Sequence, residues 1–129
     1  MPVAKPGNTG LRRIMRAVVY SMQGFSYALK NEAAFRQELA LAVILVPAAF
    51  WLGRNPLEIA ILIAVCLLVL IVELLNSAIE AAIDRHGSEQ NRLSGAAKDL
   101  GSAAVFVSLC LVLVVWLAVI LDRFATVPG

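Results

Sequence analysis

The chain has 129 residues, of which 60% are hydrophobic and only 16% charged, with a formal net charge of +2. A mean hydropathy of +0.83 excludes an ordinary soluble domain and points to the bilayer. The small net charge and the lack of a basic block with interleaved aromatics, of zinc-ligand spacing and of a repeat argue against nucleic acid as a partner. A single membrane domain over 1–129 is expected.

Residues 1–9 hold Pro2, Pro6 and Gly7 and read as a disordered start. Met1 to Gly10 is polar and has no apolar core, so no cleavable signal peptide is expected. Leu11, Met15, Val18, Val19, Met22 and Phe25 then recur at helical spacing, while Arg12, Arg13, Arg16 and Gln23 fall largely elsewhere. This pattern predicts an amphipathic helix over 11–29, lying on a membrane surface with its cations near anionic headgroups.

A first span is expected over 33–52. Its uncharged part, Leu39 to Gly53, has 15 residues. Crossing takes about 20, so Glu32, Arg36 and Glu38 belong at or near one interface. Pro47 predicts a kink. Gly53-Arg54-Asn55-Pro56 reads as a tight turn, with Asn55 as N-cap, Pro56 at the first helical position and Glu58 placed as a capping-box acid. The second span runs over 56–84. A polar loop from Arg85 to Ser94 follows, then a third span over 94–121. Gly95, Ala96, Ala97, Gly101, Ala103 and Ala104 let neighbouring helices approach closely at its start. Cys66 and Cys110 each sit mid-way along an apolar run and read as small buried hydrophobes.

The second span carries the chemistry. Its apolar run, Ile59 to Val72, leads straight into Glu73, Asn76, Ser77, Glu80 and Asp84. At about 100° per residue these five side chains share one stripe about 100° wide. The 14-residue apolar run rises about 21 Å, short of a hydrocarbon core about 30 Å thick. Glu73 therefore lies about one turn inside the interface, at the depth of a lipid hydroxyl. Nine of the 11 Lys and Arg residues precede or open the first span, or lie between the second and third or open the third. That bias puts the N-terminus and every polar group of interest on the cytoplasmic side.

An intramembrane acid stripe holds a cation, a proton or a polar substrate, or else serves as interhelical glue. A charge at mid-helix costs about 2.5–3.5 kcal/mol, and three spans cannot enclose this many polar groups. A homo-oligomer, most simply a ring with shared sites, is expected. Glu73 is either a neutral acid between helices or a working carboxylate. Glu32 and Glu80 are either solvated charges or a pair of oxygen ligands for Mg²⁺. Asp84 reads as structural, paired with an Arg. Lys98 either snorkels or, with an Arg and a divalent ion, meets the charge of a transferring phosphoryl group.

Glu73-x-x-Asn76-Ser77-x-Ile79-Glu80-x-x-Ile83-Asp84 resembles the signature of the small prokaryotic integral-membrane diacylglycerol kinases. Asn31 to Glu38, Leu93 to Ala104, and Arg13 with Tyr20-Ser21 extend the likeness over residues 10–122. The resemblance implies an all-α homotrimer of three-span chains, each with an amphipathic surface helix, in the bacterial inner membrane. It implies transfer of the ATP γ-phosphate to diacylglycerol, giving phosphatidic acid, with Mg²⁺. By position it implies Glu73 as general base and Glu32 and Glu80 as metal ligands that also border the nucleotide. Arg13, Tyr20, Lys98 and Asp99 match nucleotide-contacting positions. Glu89, Gln90 and Asn91 fall in the loop near the nucleotide, where their side chains depart from the family pattern. Arg13, Glu73, Asn76 and Ser102 border the lipid. Undecaprenol is the rival substrate. A cation- or proton-conducting protein is the rival class, disfavoured because the far halves of the spans are nearly apolar.

Overall fold

A computed structural model describes residues 9–86 and 91–125 as four helices, with no strand among the described residues. They are α1 (Leu11–Asn31), α2 (Ala33–Leu52), α3 (Pro56–Asp84) and α4 (Arg92–Ala125). The last three are long and apolar enough to cross a membrane. The loop positions Glu89 and Gln90 lie outside the described residues.

α1 outruns the apolar pattern by two residues, because Asn31 Nδ2 donates to Tyr27 O (3.0 Å) and keeps the last turn closed. Arg36 then donates from α2 back to Leu29 O (2.8 Å). Glu32 alone is extended between α1 and α2, so the corner is a single residue. Ala17, Ser21, Gly24 and Ala28 form a small-residue face distinct from the Leu11–Phe25 stripe. Ala28 is the buried residue of α1, and a groove of about 500 Å³ separates this face from Leu74, Ser77 and Ala81 of α3.

Pro47 lies inside a continuous α2. The α2–α3 turn follows the residues. Asn55 Oδ1 accepts from Glu58 N (2.9 Å), Pro56 opens α3, and Glu58 Oε1 accepts from Arg54 N (3.0 Å). α3 is the central helix, packing on α2 along one side and on α4 along the other, while α2 and α4 scarcely touch. Its inner face, Leu62, Val65, Cys66 and Val69, meets Ala49 and Leu52 of α2 and Trp116 of α4. Leu62 and Ala49 are fully enclosed, at 0% exposure. Trp116 Nε1 donates to Leu62 O (3.3 Å), which ties α4 to the middle of α3. Cys66 is buried and Cys110 half-buried, both as free thiols.

α4 extends two residues before and four beyond the expected 94–121, and both extensions have partners. At its start Asn91 Oδ1 accepts from Leu93 N (2.8 Å). At its end Asp122 pairs with Arg54, which also holds Glu58 (2.9 Å). Arg123 donates to Trp51 O (3.0 Å) and Leu52 O (2.7 Å), satisfying carbonyls that the end of α2 leaves open, and stacks over Trp51. This end of the bundle is closed by charges that bridge all three long helices. Arg123→Leu should therefore lower stability by about 1.5–3 kcal/mol, the range for hydrogen bonds to a charged group. Denaturant titration in mixed micelles measures it, and an unchanged midpoint would show the cap to be idle.

Candidate active site

The polar stripe of α3 continues the helix's buried face. Leu62, Val65, Cys66 and Val69 give way at the same spacing to Glu73, Asn76 and Ser77. These last three are buried, with Glu73 only 4% exposed. Glu80, one turn on, is half-buried, and Asp84 is exposed. Desolvation thus falls along the stripe from Glu73 to Asp84.

Two neighbours hold the stripe. On the α4 side, Gly101 lies against Asn76, and a Cβ at Gly101 would overlap the Asn76 side-chain oxygen. Glycine is required here for close approach, not for an unusual backbone angle. Asn76 Nδ2 donates to Glu80 Oε1 (3.1 Å), which orients the carboxylate. Asn76 Oδ1 is buried with no hydrogen-bond partner among the described residues. Three residues before Gly101, Lys98 Nζ reaches Asp84 Oδ1 (2.8 Å) and also feels the charge of Glu80.

On the α2 side the structure adds a residue that the sequence alone places at the interface. The carboxyl of Glu38 stands beside the Glu73 carboxyl. Glu38 Oε2 is buried and meets no amide, hydroxyl or cationic donor among the described residues. Glu73 also feels Glu80 on its own helix and Glu32 at the α1–α2 corner. Below the pair runs an apolar cavity of about 220 Å³ between α2, α3 and α4, bordered by Glu38, Leu45, Cys66, Leu109, Val112 and Leu113.

The remaining sequence-marked residues divide. Glu32 is half-buried at its corner, and Lys98 is half-buried beside the stripe. Asp99 and Ser102 are exposed on α4, and Ser102 directly follows the glycine that faces α3. Arg13 and Tyr20 are exposed on α1, with no ion pair or side-chain hydrogen bond to the stripe among the described residues. Asn91 is engaged as the α4 cap. Among the described residues no three acidic, His or Cys side chains converge on one metal position within a chain. Glu32 and Glu80 still offer the oxygen donors that Mg²⁺ prefers, and this ion commonly takes one or two carboxylates, substrate phosphates and waters.

A buried acid, a neighbouring lysine and an apolar cavity narrow the chemistry, and comparison with known proteins decides the family. The prokaryotic diacylglycerol kinase family model matches residues 19–120. The chain belongs to this family. It is 55% identical over 115 residues to a diacylglycerol kinase of Pseudomonas aeruginosa, covering 89% of this chain and 94% of that one. It is 52% identical over 108 residues to one of Haemophilus influenzae, covering 84% and 92%. For one of Escherichia coli K12 the identity is 46% over 116 residues, covering 90% and 95%. The stripe, Lys98 and Gly101 all lie within the region matched by the family model.

Gly101→Ala should push Asn76 aside, break its bond to Glu80 and cut lipid kinase turnover by more than about tenfold, about 1.4 kcal/mol of barrier. Gly95→Ala, where an added methyl meets nothing within 4 Å, should leave turnover unchanged. Equal effects of the two substitutions would mean that the close approach has no role in the site.

Proposed function

We propose that the chain phosphorylates diacylglycerol with MgATP, giving phosphatidic acid and ADP, as a homotrimer in the bacterial inner membrane. The observation that carries this reading is Glu73, a carboxyl buried at lipid depth and paired with a second acid, in a chain of this family. The acyl chains stay in the bilayer and the hydroxyl rises to Glu73. ATP arrives from the cytoplasm at the more open end of the stripe, where Glu80, Lys98 and Asp84 stand.

The hydroxyl oxygen attacks the γ-phosphorus, the bond to the bridging oxygen breaks, and ADP leaves. The hydroxyl proton passes to the Glu73 carboxylate. Glu38, beside it, limits the orientations open to Glu73. Glu80, held by Asn76, and Glu32 are the residues that would hold Mg²⁺, which supplies charge neutralisation across the phosphate oxygens. Lys98 adds positive charge beside them. Arg13, Tyr20, Asp99 and the 89–91 loop line the nucleotide, and Ser102 borders the lipid, once neighbouring chains complete the site. Positioning and fixed electrostatics supply most of the rate. The half-open character of the stripe in one chain supports assembly from more than one copy.

Glu73→Gln should reduce turnover about 10²–10⁴-fold, the usual range for a general base, with MgATP affinity nearly intact. Loss of nucleotide binding with residual turnover would reassign the residue. Label transfer from γ-³²P-ATP should reach diacylglycerol in preference to undecaprenol, and the reverse preference would replace the lipid assigned here. Glu38→Gln preserves a polar neighbour for Glu73 and should lose less turnover than Glu38→Leu, and identical losses would show that no polar neighbour is needed.

A further inference from the structure

The apolar cavity between α2, α3 and α4 serves no step of the phosphate transfer described above. It holds about 220 Å³, more than the roughly 150 Å³ in which a dry protein interior takes up benzene. Its mouth and its body differ in chemistry. Glu38 is the charged residue on its wall, and the rest of the lining, such as Ala42, Cys66, Val69 and Leu109, is apolar. Glu38 Oε2 is buried without an amide, hydroxyl or cationic donor among the described residues. On α3, Val69 lies one turn from Glu73 and Cys66 a further turn on, so the cavity starts beside the stripe and runs about 10 Å toward the bilayer centre. One turn farther along each helix, Ala49, Leu62 and Trp116 pack together and close it. α2 and α4 scarcely touch, and Leu41 and Leu113 at the rim are exposed, so the cavity opens sideways to the bilayer.

We propose that this cavity seats one acyl chain of the lipid substrate and so fixes where its hydroxyl stands; the inference rests on the lipid kinase reading. A polar mouth beside Glu73 and an apolar body leading away from it fit an amphiphile with a hydroxyl at one end. The polar end of the lipid meets Glu38 Oε2, and the chain descends past Ala42 and Val69. Above the Ala49–Leu62–Trp116 floor it turns out past Leu113 and continues among the bilayer tails. Seated in this way the chain stays at bilayer depth, with helices on three sides. Lipid tails are as apolar as the cavity wall, so moving a chain from bilayer to cavity gains little affinity. The gain is positional: a chain held along α3 limits the tilt and rotation of the glycerol and keeps the hydroxyl within reach of Glu73. Selectivity then acts on chain length, because a chain that ends before Val69 cannot use the cavity.

The full chain in phosphatidylcholine nanodiscs tests this with two readouts. Ala42→Leu adds bulk inside the cavity and should lower kcat/KM for dioleoylglycerol, relative to that for dibutyrylglycerol, by about tenfold or more, the cost of a misplaced hydroxyl. Leu109→Trp fills the cavity from α4 and should act alike, and in both variants KM for MgATP should hold. The second readout needs no turnover. In a Trp51→Phe background, dioleoylglycerol brominated at its double bonds should quench the buried Trp116 more strongly than phosphatidylcholine brominated alike at equal mole fraction. Ala42→Leu should remove that difference. Equal losses for the two glycerolipids, or equal quenching by the two brominated lipids, would overturn the proposal and leave the space to any bilayer lipid or to a helix of another copy. Selective quenching without phosphorylation of either glycerolipid would support the chain site and count against the kinase reading. Phosphorylation with unselective quenching would do the reverse.

Discussion

The contact between Gly101 and Asn76 is the constraint on which the site depends. A polar stripe inside a membrane helix is stable only if another helix covers it, and cover must come close enough to exclude lipid. With no side chain at Gly101, the α4 backbone comes down onto Asn76. The amide is then fixed by its bond to Glu80, since the opposite orientation would set oxygen against oxygen. Lys98, one turn before Gly101, is delivered to Asp84 by the same approach. One glycine thus places an amide, an acid and a lysine in a common frame.

The two ends of the bundle are built on opposite principles. At the Arg54 end, Glu58 and Asp122 share one guanidinium, and Arg123 satisfies the last carbonyls of α2. Polar groups there are matched and the helices are locked together. At the Glu73 end, Glu38 Oε2 and Asn76 Oδ1 are buried without conventional partners among the described residues. Buried polar atoms without partners are unfavourable, and functional sites are where such strain is retained. Lock and site are joined by the apolar middle of α3, packed on Ala49, Leu52 and Trp116.

Helical periodicity makes much of this legible. The long apolar runs mark the spans, and the Asn55-Pro56-x-Glu58 pattern marks the start of α3. The spacing of Glu73, Asn76, Ser77 and Glu80 places them on one face, because residues on a single helix need only its pitch to be related. Glu38 escapes a sequence reading for the complementary reason. α2 is apolar almost all round, so its sequence does not reveal which side turns toward α3, and Glu38 looks like an interface charge beside Arg36. The Ala17-Ser21-Gly24-Ala28 face of α1 escapes it too, since small residues give little hydrophobic signal although they decide where a helix can dock. Asn91 falls in the loop expected near the nucleotide, yet its side chain closes the first turn of α4. Arg13, Tyr20, Asp99 and Ser102 are exposed, apart from the stripe, because a helix pattern relates residues along one helix and carries no information on how separate helices meet.

The central claim is that phosphate transfer takes place at the end of α3 that carries Glu80, not at the end that carries Glu58. Manganese with a non-hydrolysable ATP analogue, added to the protein in lipid with ¹³C-labelled Glu carboxyls, tests this most directly through paramagnetic broadening. The account predicts strong loss of the Glu32 and Glu80 signals, partial loss at Glu73 and Glu38, and an unaffected Glu58. Broadening at Glu58 with Glu80 untouched would contradict it.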